Sequence, residues 1–313
     1  MATMLDDPPT DHTTASQRLQ AEMAAARLSF KWLGVRKTLT ADQKSQAADS
    51  FDAESKYLSA SKKLLDTSHP LFKAVTAVKS KATSYWKSCS LPFPEPGLRL
   101  IKRAMIDDFD SRIAAFQDEL RDSVEHLDLH FIELRDAARD RLGDLFDIAD
   151  YPVSLRDEFA ITHEYPSVEP PSYLSELSPD LYAAECRRMQ ARFDEAVELA
   201  EQTFTDELAK LVEHLTDRLA GSDDGKPKRF RDSVVGNLTE FFGRFRELNV
   251  GSSEQLDALV QQAQAAVQGV SADQLRGSEQ LRRRVAGSMA AVQAGLDQML
   301  VTKPRRNIQR RGR

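Results

Sequence analysis

The sequence predicts an all-α, elongated protein organised on a long antiparallel, coiled-coil-like helical hairpin, with smaller helices packed at one end. Two matched apolar stripes, the proline-rich stretch between them and a set of helix-start signals carry that prediction. In the first stripe Ile106, Phe109, Ile113, Phe116, Leu120, Leu127, Phe131, Leu134, Ala138, Leu142 and Leu145 step mostly by three and four, with Val124 bridging the widest gap. Such spacing places them on one face of a helix over about 104–145. In the second, Leu181, Met189, Phe193, Ala196, Ala200, Phe204, Leu208, Leu211, Leu215 and Leu219 do the same over about 179–220. At the α-helical rise each rod is roughly 60 Å long. Equal rods joined by a compact, irregular tip insert at 146–178 favour a hairpin; a homodimer through the same faces is the alternative.

The remaining elements follow in chain order. Residues 1–13, with Pro8 and Pro9, read as a disordered leader. An N-terminal helical region spans 14–97, opening with a short helix near 16–27. Its segment 28–35, with Phe30 and Trp32, is the one candidate strand. Thr40-Ala41-Asp42-Gln43 has the capping-box pattern and should start a helix running towards Leu65. Pro70 suits the first turn of the next helix, which should reach about Lys87. Pro92, Pro94 and Pro96 then forbid helix.

The hairpin occupies 98–221, its second rod opened by Ser178 as N-cap and Pro179 at the first helical position. Gly221 to Pro227 is a polar break that lacks the spacing of a phosphate-binding loop. A C-terminal helical region over 226–302 begins with the Phe230, Val234, Leu238, Phe241, Phe245, Leu248 stripe, with further helix starts at Ser253, Ser271 and Ser278. A basic tail at 303–313 closes the chain.

Composition narrows the function classes. Hydrophobic residues make up 41% and charged residues 29%, too apolar for a disordered chain and too charged for a membrane protein. No apolar run approaches bilayer length and the N-terminus lacks the order of a secretory signal, so the expected compartment is the cytoplasm. Cys89 and Cys186 have neither zinc nor redox spacing and read as reduced thiols. The net charge of -6 argues against a surface that is cationic throughout.

Catalytic chemistry finds no frame in the sequence. His126 and His130 stand one helical turn apart with Glu133 a turn further, a spacing that two metal-binding imidazoles can use. Asp118, Asp122 and Glu125 nearby make that face simply charged, and no second helix completes a ligand set. Accordingly no catalytic residue, metal ligand or cofactor is assigned, and the chain is read as a non-enzyme. Two partner-binding features stand out. The loop from Tyr85 to Gly97 holds Trp86, Phe93 and Pro94, which either seal the end of the core or form a rigid docking edge. Lys303, Arg305, Arg306, Arg310, Arg311 and Arg313 make a tail that is either solvated or contacts nucleic-acid phosphates or a partner.

Arg36-Lys37-Thr38-Leu39-Thr40, the run Ser90-Leu91-Pro92-Phe93-Pro94-Glu95-Pro96-Gly97-Leu98-Arg99-Leu100-Ile101, Leu281-Arg282-Arg283-Arg284-Val285-Ala286 and Pro304-Arg305-Arg306-Asn307-Ile308 together carry a family likeness. The chain resembles an uncharacterised family of helical proteins encoded in bacteria, phages and plasmids, a domain of unknown function. That resemblance implies a mobile-element or phage-related setting, sometimes with a MoxR-type AAA+ ATPase and a von Willebrand factor A-domain protein encoded nearby. It supplies no active-site residue. The resulting expectation is a scaffold or adaptor for a protein partner, with a nucleic-acid accessory role through the tail, or a metal-dependent enzyme, as alternatives, and with homo-oligomers allowed.

Overall fold

The computed structural model describes residues 14–219 and 233–302. It is mostly helical, at 68% helix. In chain order the elements are α1 (Ala15–Glu22), β1 (Met23–Lys31), β2 (Arg36–Thr38), α2 (Ala41–Asp49), β3 (Ser61–Lys63), α3 (Pro70–Ser88), β4 (Leu91–Pro92) and β5 (Leu98–Lys102). Then come α4 (Ile106–Leu129), α5 (Phe131–Leu142), β6 (Ala160–Glu164), α6 (Tyr173–Leu177), α7 (Pro179–Leu219), α8 (Ser233–Leu248), α9 (Glu254–Val267), α10 (Ala272–Gly277) and α11 (Glu279–Thr302). The all-α expectation is corrected by antiparallel strands, with β4 paired to β5, β1 to β6, and β2 to β3 in a ribbon. The alanine-rich start of β1 carries helix propensity, but strand pairing overrides it.

Contacts divide the chain into two compact units, each assembled from separated stretches. One comprises Met1–Ala24, Cys89–Lys102 and Ser167–Arg313; the other comprises Ala25–Ser88 and Arg103–Pro166.

In the first unit α7 is a continuous helix of 41 residues, as its stripe predicts. Ser178 Oγ accepts from the Leu181 amide at 3.4 Å and Pro179 occupies the first turn, where no amide hydrogen is needed. Its apolar face, with Phe193, Ala196, Phe204, Leu208, Val212 and Leu215 buried, packs along α11, α1 and α8. α11 also packs along α9, and the approach is close at Gly295, where a Cβ would stand 2.6 Å from Leu259 Cδ2. Capping follows the sequence signals: Ser253 accepts from the Leu256 amide, and Ser271 with Gln274 forms a complete capping box. The β4-β5 hairpin pairs Leu91 with Leu100, so the proline-rich stretch is strand and turn rather than helix.

In the second unit α3 packs against α4. Phe72, Val75, Val78, Ala82 and Trp86 of α3 are buried, as are Phe109, Ile113, Phe116, Leu120, Val124 and Leu127 of α4. The stripe expected to bury against the 179–220 rod is therefore covered by α3 and by β6, on which α4 also packs. Strand β6 pairs antiparallel with β1, from Arg27 with Glu164 to Lys31 with Ala160. The expected 104–145 rod is interrupted: His130, at φ -103° and ψ 5°, separates α4 from α5, and its amide donates to the Leu127 and Asp128 carbonyls. The helix begun by the Thr40 capping box stops at Asp49 instead of running towards Leu65. Asp52 adopts φ 51° and the Ala53 amide returns to the Ala48 carbonyl at 3.1 Å, a left-handed C-terminal cap that turns the chain out of the helix.

Candidate functional site

The expected docking edge does not offer its aromatic rings to solvent. Trp86 is buried on α3 within its unit. Phe93 is buried in the other unit, where its ring meets Phe193 edge to face at 5.6 Å; Pro94 is half-buried. Of the two readings of the 85–97 loop, these placements fit the seal. The tail residues Lys303, Arg305, Arg306, Arg310, Arg311 and Arg313 lie outside the described residues, as do the 1–13 leader and the break beginning at Gly221. His126 and His130 are exposed, and His130 Nδ1 sits 3.1 Å from Glu133 Oε2. Among the described residues no group of three or more His, Cys, Asp or Glu is arranged to hold a metal ion.

The second unit exposes several large apolar side chains. Leu129 is 75% exposed, Ile132 62% and Val153 99%. Asp128 Oδ1 accepts from the Leu155 amide at 2.7 Å and Oδ2 from Ser154 Oγ at 3.0 Å. These bonds fasten the turn carrying Val153 to the end of α4, where Leu129 follows Asp128 directly. Ile132 is three residues further, just past the break at His130. The sequence hides the exposure of Leu129 and Ile132, because they fall beside an apolar stripe that is otherwise buried.

A second carboxylate anchors the β2-β3 ribbon. Asp150 has a side chain only 1% exposed and ion-pairs with both Lys37 and Lys62, the latter at 2.5 Å. Lys62, itself buried, also donates to the Leu145 carbonyl at 2.6 Å. Burial alone would raise the Asp150 pKa, but hydrogen bonds and attraction from the two ammonium groups outweigh it and hold the carboxyl below the usual range. Next to it the Tyr151 hydroxyl donates to the Leu64 carbonyl at 2.9 Å, and burial pushes that phenol up. Elsewhere in the unit Asp110 Oδ1 accepts from the Tyr165 hydroxyl at 2.5 Å and lies 2.7 Å from His163 Nε2. No described serine, threonine or cysteine is bonded to that histidine, so the pair has the geometry of a structural link between α4 and β6 rather than of a nucleophile and its base.

A groove of about 490 Å³ runs between α4 and the 156–161 segment. Leu120, Val124, Phe159 and Ile161 line it together with Asp118, Arg121, Glu125, Arg156 and Asp157, and Gln117 donates to the Ile161 carbonyl at 2.9 Å. Its charged lining residues alternate in sign along the chain. Desolvation pushes the Cys89 thiol up to about 11, and Cys186 lies within hydrogen-bonding reach of Tyr182. No helix among the described residues is long and apolar enough to cross a membrane.

Comparison with known protein families, with curated proteins and with solved structures finds no match.

Proposed function

We propose that the chain is a helical scaffold or adaptor, without catalytic activity of its own, that binds a protein partner through Leu129, Ile132 and Val153. The exposure of these three large apolar side chains on a hydrogen-bonded junction supports the reading. Apolar side chains held on a fixed backbone lose little entropy on binding, and burying each contributes about 1.5–3 kcal/mol at most. The family likeness carried by the 36–40, 90–101, 281–286 and 304–308 segments suggests the partner class, a MoxR-type AAA+ ATPase of a phage or mobile element. The reading places function on a surface and leaves the groove and the exposed histidines without a catalytic part.

Biolayer interferometry between the purified chain and a purified MoxR-type AAA+ ATPase tests the proposal. The unaltered chain should bind, and Ile132→Glu with Val153→Glu should weaken binding at least thirtyfold, the effect of about 2 kcal/mol at a hot spot. Equal binding by the two proteins, or none by either, contradicts it.

A further inference from the structure

We infer that the second unit binds single-stranded nucleic acid through Phe30, Trp32, Arg36, Lys63, Lys73 and Lys79. The inference is independent of the adaptor reading. Its starting point is a segregation of charge that the net value of -6 conceals. Residues 25–88 hold twelve Lys or Arg against five Asp or Glu, whereas residues 103–166 hold seven against seventeen. Both stretches belong to the same unit.

The β2-β3 ribbon shows what the excess positive charge lacks. Its register sets Lys37 opposite Lys62 and Arg36 opposite Lys63, two successive like-charged cross-strand pairs on opposite faces of the ribbon. Like charges so placed repel. On one face Asp150 resolves the repulsion by pairing with both Lys37 and Lys62. On the other, Arg36 and Lys63 are exposed and ion-pair with no described residue. An anion from outside would do for that pair what Asp150 does for its neighbour.

Helix α3 adds further cations. Its 19 residues include Lys73, Lys79, Lys81 and Lys87 and no Asp or Glu. Lys73 lies on an outer stripe with Ala77, Ser80 and Ser84, small side chains over which a phosphate backbone can approach. Lys79 sits over the rings of Phe30 and Trp32, 5.1 and 4.7 Å from their centroids, and both rings are half-exposed. From Trp32 the chain reaches Arg36 within about 14 Å. Cations beside half-exposed aromatic rings suit a strand whose bases are free to stack, whereas a duplex keeps its bases from such rings.

The test uses the full chain and a fluorescein-labelled oligothymidylate, followed by anisotropy between 50 and 200 mM salt. Four phosphate contacts give a log-log salt slope of about -2.8, an affinity loss of about fiftyfold across that range. Replacing Arg36, Lys63, Lys73 and Lys79 together by alanine should make the slope shallower by about that amount. The exchange Arg36→Lys, Lys63→Arg, Lys73→Arg and Lys79→Arg should preserve it, and circular dichroism checks that both variants fold. In a Trp86→Phe background, binding should quench Trp32 emission. An unchanged slope in the alanine variant, equal weakening by the charge-preserving exchange, loss of all binding on deletion of 303–313, or tighter binding to duplex or to anionic phosphatidylserine vesicles would each overturn the inference.

Discussion

Asp150→Ala isolates the buried carboxylate that ties the β2-β3 ribbon to the 145–151 segment. The substitution leaves Lys62, whose side chain is 5% exposed, with a charge and only the Leu145 carbonyl to receive it. Removing one partner of a buried pair costs about 3–5 kcal/mol, and the lower end applies here because Lys37 is more than half exposed and can turn to water. A loss of about 3 kcal/mol lowers the urea midpoint at pH 7 by roughly 1–2 M for ordinary denaturant slopes. Circular dichroism follows the transition. The double change Asp150→Leu with Lys62→Met should restore most of the loss, since an apolar pair needs no counter-charge. The folded-state pKa of Asp150 lies below the ordinary Asp value of about 3.9, so its contribution is complete above that value and disappears as pH falls through the folded-state pKa. The gap between the native chain and Asp150→Ala should therefore be constant from pH 5 to 8 and narrow below about pH 4. A gap that is absent at pH 7, or one that persists unchanged at pH 2, would refute this reasoning.

Further tests probe the core, the surface and the thiols. Ile113→Ala, at a fully buried position of α4, should cost about 3 kcal/mol in urea melts, whereas Ile132→Ala on the exposed junction should stay within about 0.5 kcal/mol; similar losses at both sites would show that Ile132 is not at the surface. Arg244 ion-pairs with Glu207 and lies over Phe204 and Phe241, so Arg244→Ala should destabilise by about 1–2 kcal/mol, and a neutral result would exclude the stacked arrangement. With its pKa near 11, Cys89 in a Cys186→Ser variant should be only about 0.1% thiolate at pH 8 and alkylate orders of magnitude more slowly than an accessible thiol; rapid labelling by iodoacetamide would contradict its burial.

Much of the helical architecture was legible because its signals are local. Pro70 and the Ser178-Pro179 pair mark the starts of α3 and α7, and the capping boxes at Thr40 and Ser271 open α2 and α10. What escaped depends on contacts between distant residues. Strand β6 is five residues long, and Ala160–Glu164 has little β character of its own until β1 pairs with it. The break at His130 has no proline or glycine to announce it, and Asp128 bonds the chain 27 residues further on. Asp150 has nothing in its neighbourhood to distinguish it from other surface aspartates; only the fold brings Lys37 and Lys62 to it. The tail and the 85–97 loop drew attention through local composition, whereas the apolar junction combines residues from either side of a break and a turn. The cationic 25–88 stretch was readable from residue counts by segment, but the whole-chain charge masked it.

The adaptor reading stands or falls on whether the α4-α5 junction is where a partner lands. Hydrogen exchange of the full chain, with and without saturating MoxR-type AAA+ ATPase, addresses this directly. Protection should concentrate at residues 129–133 and 151–155 and vanish when Ile132→Glu and Val153→Glu are introduced. Protection confined to other segments, or retained in the double variant, would contradict it.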